Sequence, residues 1–251
     1  MPGNAVLITG AARRIGRALA LHFAAEGRDV GVHYRDSADE ARRLADDVAA
    51  LGRHAALYRA DLSDAEAVDT LASDFVRDFP DGDLLINSAS IFERDRIGNL
   101  SPTLWERHMT VNALAPALLT RAFASGRDGP LAVINFLDQK VANLTPDFFS
   151  YTVSKVALEA ITRMLAMELA PSVRVNAIAP GLVLPSGRQS EESFRRAYSR
   201  TPLKVGPTLE EICRVASLLA ASGSITGQTI AVDGGRHLVP GRPPYDDLPA
   251  G

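Results

Sequence analysis

Short β-rich runs separated by longer helical patterns leave this chain few ways to fold. The runs lie at residues 5–9, 29–34, 54–60, 83–87, 131–136, 173–179 and 228–233. Several are apolar without a clean alternation, as expected of strands covered on both faces. Helical patterns such as "RIGRALALHFAAEG" and "DEARRLADDVAALG" fill the gaps. Strands that alternate with helices in this way predict a parallel, doubly wound sheet of about seven strands with helices on both faces. Ligands of such α/β sheets bind at the carboxyl ends of the strands. The 251 residues, 46% of them hydrophobic, suit one domain of this kind over residues 1–251. No internal repeat or linker divides it.

The other bulk properties narrow the partners. A net charge of −3 with no dense basic run argues against nucleic acid. The single cysteine, Cys213, excludes an internal disulfide and a cysteine-rich metal site, so no metal is expected. No apolar stretch reaches the roughly 20 residues needed to cross a bilayer. "AVLIT" runs straight into a glycine turn rather than a signal peptide. The expectation is a cytoplasmic protein without a membrane partner. Residues 182–202 are polar and arginine-rich, interrupt the rhythm after the sixth strand, and are expected to form a substrate lid. The proline-rich tail, 236–251, is not expected to be helical.

The first strand leads into "TGAARRIGRALA". Gly10 and Gly16 there allow a backbone to approach a pyrophosphate at a helix N-terminus, although a tight turn with no ligand has the same glycines. The end of the second strand separates NAD from NADP. A carboxylate is usual there for NAD, whereas this chain has Tyr34, Arg35, Asp36 and Ser37. An arginine and a hydroxyl suit a 2′-phosphate, with Arg13 as a second charge. NADP(H) is therefore the expected cofactor. Asp61, after the third strand, can accept from an adenine amino group or cap the next helix. The small residues Asn87, Ser88, Ala89 and Ser90 end the fourth strand and would let the cofactor pass close.

Tyr151 and Lys155 are four apart in a helical pattern and share a face. An ammonium near a phenol favours the phenolate and makes the tyrosine a usable proton donor and acceptor. The same helix is apolar around most of its circumference, so one side should face the sheet and the other a second subunit.

With "TGAARRIG", "ADLSD", "INSAS", "VNALAP", "YTVSK", "RVNAIAPG" and "ITGQTIAVDGG" in order, the chain resembles the short-chain dehydrogenase/reductase superfamily over nearly its whole length. That resemblance implies a Rossmann-type fold, a nicotinamide cofactor, a homotetramer, and a catalytic group formed by Asn112, Tyr151 and Lys155. Lys155 would also hold the nicotinamide ribose, and Asn112 would help keep a water in a proton relay. Ile15, Leu62, Pro180 and Gly181, which lie within the matching motifs, would complete the cofactor site.

The departures from the superfamily pattern resemble its pteridine reductases. The usual serine, thirteen residues before the tyrosine, is Asp138; the middle glycine of the cofactor turn is Arg14; "NSAS" is followed by Phe92. That likeness implies a pterin ring stacked on Phe92, with Ser90 and Arg14 on polar edges of the substrate and cofactor. Reduction of a ring C=N bond needs a proton at nitrogen, which a carboxyl beside Tyr151 can relay. A carboxylic acid can be kept protonated near an apolar ring. Two other readings stay open: a carbonyl reductase for a ketone or 3-oxoacyl substrate, and an NADP(H)-binding protein without turnover.

Overall fold

The computed structural model describes residues 5–239 apart from 128, 186–190 and 200. Its strands are β1 (Ala5–Thr9), β2 (Asp29–Tyr34), β3 (Ala55–Arg59), β4 (Leu84–Asn87), β5 (Leu131–Phe136), β6 (Val173–Pro180) and β7 (Thr229–Val232). They form one sheet in the order β3-β2-β1-β4-β5-β6-β7, and every neighbouring pair is parallel. The strands lie where the sequence places them, within a residue or two at each end.

The pleat divides the apolar runs of the inner strands between two cores. Val6, Ile8, Val30, Val32, Leu84 and Ile86 face one side. There they meet Leu19, Ala20 and Phe23 of α1 (Arg14–Ala25), Leu44 and Val48 of α2 (Ala38–Ala50), and Ile212 and Ala216 of α8 (Leu209–Ala221). Leu7, Leu85, Val133 and Val175 face the other side. They pack on Leu71 and Phe75 of α3 (Ala65–Asp78) and on Leu119 and Phe123 of α5 (Ala115–Ala124). Burial on both faces is why these strands lack an alternating pattern. A fully buried leucine or phenylalanine contributes roughly 1.5–3 kcal/mol, so these two layers hold the sheet against its helices.

Two helices shape the active-site end. α4 (Pro102–Met109) continues through a π-helical turn, Thr110–Leu114, into α5. α6 (Phe149–Glu168) carries Tyr151 and Lys155 on its buried face, and Met164 and Met167 on a face that stays open in the single chain. The segment expected to be a lid contains α7 (Glu191–Ser199), while residues 186–190 and 200 lie outside the described residues. The tail begins with a single 3₁₀ turn, Arg236–Leu238, where no helical turn is expected from the sequence; residues 240–251 lie outside the described part. A turn of three residues precedes the prolines and needs no proline N–H.

Candidate active site

The connections from β1 and β4 leave the sheet in opposite directions, which opens a crevice at their carboxyl ends. A cleft of about 610 Å³ lies there. Gly10, Arg13, Arg14, Ile15, Gly16, Tyr34, Arg35, Ser37, Asp61 and Leu62 line one end. Ser88, Ala89, Ser90, Phe92, Asp138, Tyr151, Lys155, Pro180 and Gly181 line the remainder. All of the residues singled out in the sequence are thus brought together except Asn87 and Asn112, which stand behind the wall.

The turn after β1 is built for close approach. Gly10 has φ +65°, and a Cβ on it would lie 3.0 Å from Ala89 Cα. A Cβ on Gly16 would lie 2.2 Å from Gly10 O, so no side chain fits. Arg14 fills the place where the resembled family has its middle glycine and keeps a left-handed backbone, φ 55°. It also begins α1, and its guanidinium donates to Pro185 O at 2.9 Å and Leu184 O at 3.3 Å. The first turn of α1 has no acidic residue, so its free N–H groups and the two adjacent arginines favour an anion. This cradle fits a dinucleotide pyrophosphate.

His33, which the sequence reading passed over, fixes the cradle. Gly10 N donates to its Nδ1 at 3.1 Å, and its Nε2 pairs with Ala60 O at 3.1 Å. One neutral tautomer satisfies both, since Nε2–H donates while Nδ1 accepts. Burial pushes its pKa down to about 4. The ring therefore joins the ends of β1, β2 and β3 as a neutral strut.

At the edge of β2, Arg35 Nε donates to Asp36 Oδ2 at 2.6 Å, and both side chains are half-exposed or more. Asp36 thus faces solvent while paired with the arginine. Arg59 Nε donates to Arg35 O at 3.2 Å and adds another cation at that edge. Asp61 accepts from Ser63 N and Oγ, which lowers its pKa. The helix cap is Asp64, which accepts from Glu66 N and Ala67 N at the start of α3. Asp61 is left as a carboxylate on the cleft.

Behind the wall, Asn87 Nδ2 donates to Asn135 Oδ1 at 2.8 Å, and Asn135 Nδ2 donates to Thr162 Oγ1 at 2.9 Å. Asn112 in the π turn accepts from Ser90 Oγ and Ile91 N, and donates to Ile91 O and Ser154 Oγ. Its side chain braces the 88–92 loop against α6. Ser90 lines the cleft with its hydroxyl engaged in this brace.

The reactive end sits on α6. Tyr151 OH donates to Asp138 Oδ2 at 2.9 Å. The other carboxylate oxygen accepts from Lys140 N at 2.9 Å, capping the short turn Gln139–Val141. Asp138 is therefore held at both oxygens and aimed at the phenol. Lys155 Nζ donates to Phe136 O at 2.8 Å and lies 5.9 Å from the Tyr151 ring centroid. Burial lowers the Lys155 pKa to about 8, against the opposing pull of Asp138. The Phe92 ring meets Tyr151 edge-on at 4.7 Å and stacks on Phe148 at 4.2 Å and 9°. One of its faces is covered by Phe148, and it remains 39% exposed. Below it, Lys140 forms a buried ion pair with Asp147 at 3.1 Å. Burial pushes the Asp147 carboxyl up, but bonds from Thr145 and Lys140 outweigh this and its pKa falls. A proton donor, a carboxylate, a buried ammonium and a flat apolar platform thus converge beside a dinucleotide cradle.

A family model described as Enoyl-(Acyl carrier protein) reductase matches residues 10–237. The chain belongs to the short-chain dehydrogenase/reductase family. Family members similar to it include a dihydromonapterin reductase from Klebsiella pneumoniae, 34% identical over 93% of this chain and 96% of that protein. A 3beta-hydroxysteroid dehydrogenase from Eggerthella lenta is 32% identical over 96% of each. Among solved structures, FolM alternative dihydrofolate reductase 1 from Brucella canis, complexed with NADP, superposes with a TM-score of 0.92. It is 41% identical, over 96% of this chain and 97% of that one. Among the described residues no helix is long and apolar enough to cross a membrane, and no group of three or more His, Cys, Asp or Glu could hold a metal ion.

Proposed function

We propose that this protein is an NADPH-dependent pteridine reductase, which reduces a C=N bond of a dihydropterin or dihydrofolate to the tetrahydro form. The observation that carries the reading is the 2.9 Å bond from Tyr151 OH to the Asp138 carboxylate, at a position where a carbonyl reductase of this family has an alcohol. A ketone oxygen needs one donor. A pterin edge presents N–H groups that a carboxylate can accept from, and a ring nitrogen that must gain a proton. The names of the similar dihydromonapterin and dihydrofolate reductases support the same reading.

Bound NADPH would supply the hydride to the ring carbon. The chain's own residues do the rest. Phe92, backed by Phe148, offers its open face to a flat ring, an arrangement worth about 0.5–1.5 kcal/mol beyond its area. Tyr151 and Asp138 pass one proton to the substrate nitrogen, and solvent replaces it. The Lys155 ammonium, beside the phenol and within the buried wall, stabilises negative charge on Tyr151 during that transfer. Arg35, Ser37 and Arg13 would hold the 2′-phosphate. The reading extends to a cytoplasmic homotetramer, supported by the apolar face that α6 leaves open at Met164 and Met167.

The test is NADPH oxidation against dihydromonapterin, dihydrobiopterin, dihydrofolate and a panel of ketones and steroids. Dihydropterins should give the highest kcat/KM. Asp138→Asn, which keeps the shape but cannot relay a proton, should lower kcat about 10²–10⁴-fold with little change in NADPH binding. A ketone preferred over every dihydropterin, or an Asp138→Asn variant with most of its kcat, would overturn the proposal.

A further inference from the structure

α6 begins without a cap of its own. Phe148, at its N-cap position, has left-handed backbone (φ 53°) and no polar side chain to offer. The exposed first-turn N–H groups of a buried helix need partners. They find one in Asp95, a loop residue 55 positions earlier, whose two carboxylate oxygens accept from Ser150 N at 3.1 and 3.2 Å. Phe149 N also donates to Asp95 O at 3.4 Å.

The contact continues inward as a chain. Ser150 Oγ donates to Asp95 Oδ2. That hydroxyl has one hydrogen, so toward His108 Nδ1, 2.6 Å away, it acts as acceptor and the ring nitrogen carries the proton. His108 Nε2 is then free to accept from Glu93 N at 3.4 Å. Asp95, His108 and Ser150 are all at most 2% exposed. An Asp, a Ser and a His in contact suggest a hydrolytic nucleophile, but the order is wrong. Here the serine donates to the aspartate rather than to the histidine, and the group is sealed from the cleft.

The location of the ends gives this chain its use. Glu93 follows Phe92, and Ser150 precedes Tyr151. We propose that Asp95, His108 and Ser150 are positioning residues that lock the Phe92 platform and the Tyr151 phenol into one rigid unit, and so set the height at which a ring substrate meets its proton donor. They touch neither substrate nor cofactor. The proposal rests on the ring-stacking role given to Phe92 above. Without the chain, the 88–99 loop and the start of α6 would be joined by Asn112 and the Phe92–Phe148 stack, and the 4.7 Å edge-on contact of Phe92 with Tyr151 would lose its buried polar support.

The test compares Ser150→Ala, Asp95→Asn, His108→Leu and His108→Asn with wild type. Asparagine places an amide N–H near the Nδ1 position, so it retains the bond to Ser150, which leucine cannot. Steady-state kinetics should show kcat/KM for dihydropterin at least tenfold lower in Ser150→Ala and His108→Leu, through both kcat and KM. His108→Asn should recover most of kcat. NADPH Kd, read by fluorescence on the same preparations, should stay within twofold, because the pyrophosphate turn after β1 and the arginine edge after β2 lie away from Asp95, His108 and Ser150, and it also reports that each variant is folded. Variants that bind NADPH and keep kcat/KM within twofold would overturn the proposal. So would a parallel loss of NADPH affinity and turnover, which marks a general structural role. If wild type turns over ketones and no dihydropterin, the substrate reading fails alone, and the same variants on that ketone decide the positioning role. If wild type turns over neither, both fall.

Discussion

Mild acid should destabilise this protein through His33, and His33→Asn should remove that loss. The ring is buried, accepts from Gly10 N and pairs with Ala60 O, so protonation would place a second N–H against the Gly10 donor. Its folded pKa is about 4, below the ordinary 6.5. The unfolded chain therefore binds the proton first as pH falls. The neutral ring's stability is fully present above 6.5 and is lost as pH falls from there towards 4. The whole window is worth roughly 3 kcal/mol, and the part between about pH 7.5 and pH 5.5 about 1.3 kcal/mol. Urea unfolding at those two pH values measures it. His108 is also pushed down by burial and adds acid sensitivity of the same sign, so the wild-type change minus the variant's isolates His33. The introduced asparagine can still accept from Gly10 N but does not titrate. If His33→Asn loses as much stability as wild type between the two pH values, His33 is not the neutral strut described.

Arg35→Ala should weaken NADPH binding by about 1.5–3 kcal/mol, the usual worth of a bond to a charged group, and leave NADH binding nearly unchanged. Equal losses in fluorescence titrations with the two cofactors would remove the 2′-phosphate role. Burial holds Lys155 near pKa 8, so its ammonium is present below that value and lost above it. Turnover should accordingly fall as pH rises through about 8, and a profile that stays flat well into the alkaline range would contradict the assignment. Met164→Lys with Met167→Lys alters two exposed side chains of α6. Such surface changes cost a free chain no more than about 0.5 kcal/mol, but they should reduce the mass seen by light scattering; an unchanged mass would place the subunit contact elsewhere.

The strands were legible because each apolar run is bounded by glycine or polar turns, and the inner strands are buried on both faces. Tyr151, Lys155 and Asp138 were legible because helical spacing and one strand end fix their relation within a short stretch. Their detail was not. Lys155 bonds to Phe136 O and stands 5.9 Å from the phenol ring centroid, which no spacing reveals. Asn87 and Asn112 share strings with cleft residues, yet their side chains turn inward, Asn87 to Asn135 and Asn112 to Ser154, the Ser90 hydroxyl and the Ile91 backbone, because a buried amide needs hydrogen-bond partners. The links from Asp95 and His108 to Ser150 span 55 and 42 residues, and nothing local marks them. The one local signal for His33 was an imidazole inside the apolar run "VGVHY", where a charge would be costly.

The π turn at Thr110–Leu114 bears on how this protein can change. One residue added to an α-helix rotates everything beyond it by about 100°, which would swing Leu119 and Phe123 of α5 out of the core. Here the surplus residue is absorbed within five positions by wider i→i+5 bonding. α4 can therefore present His108 to the active-site loops in one phase, while α5 presents its leucine and phenylalanine to the sheet in another. Mutations on the α4 side that shift the support of the active-site loops leave the core-facing phase intact, so the two ends of a continuous helix are free to evolve at separate rates.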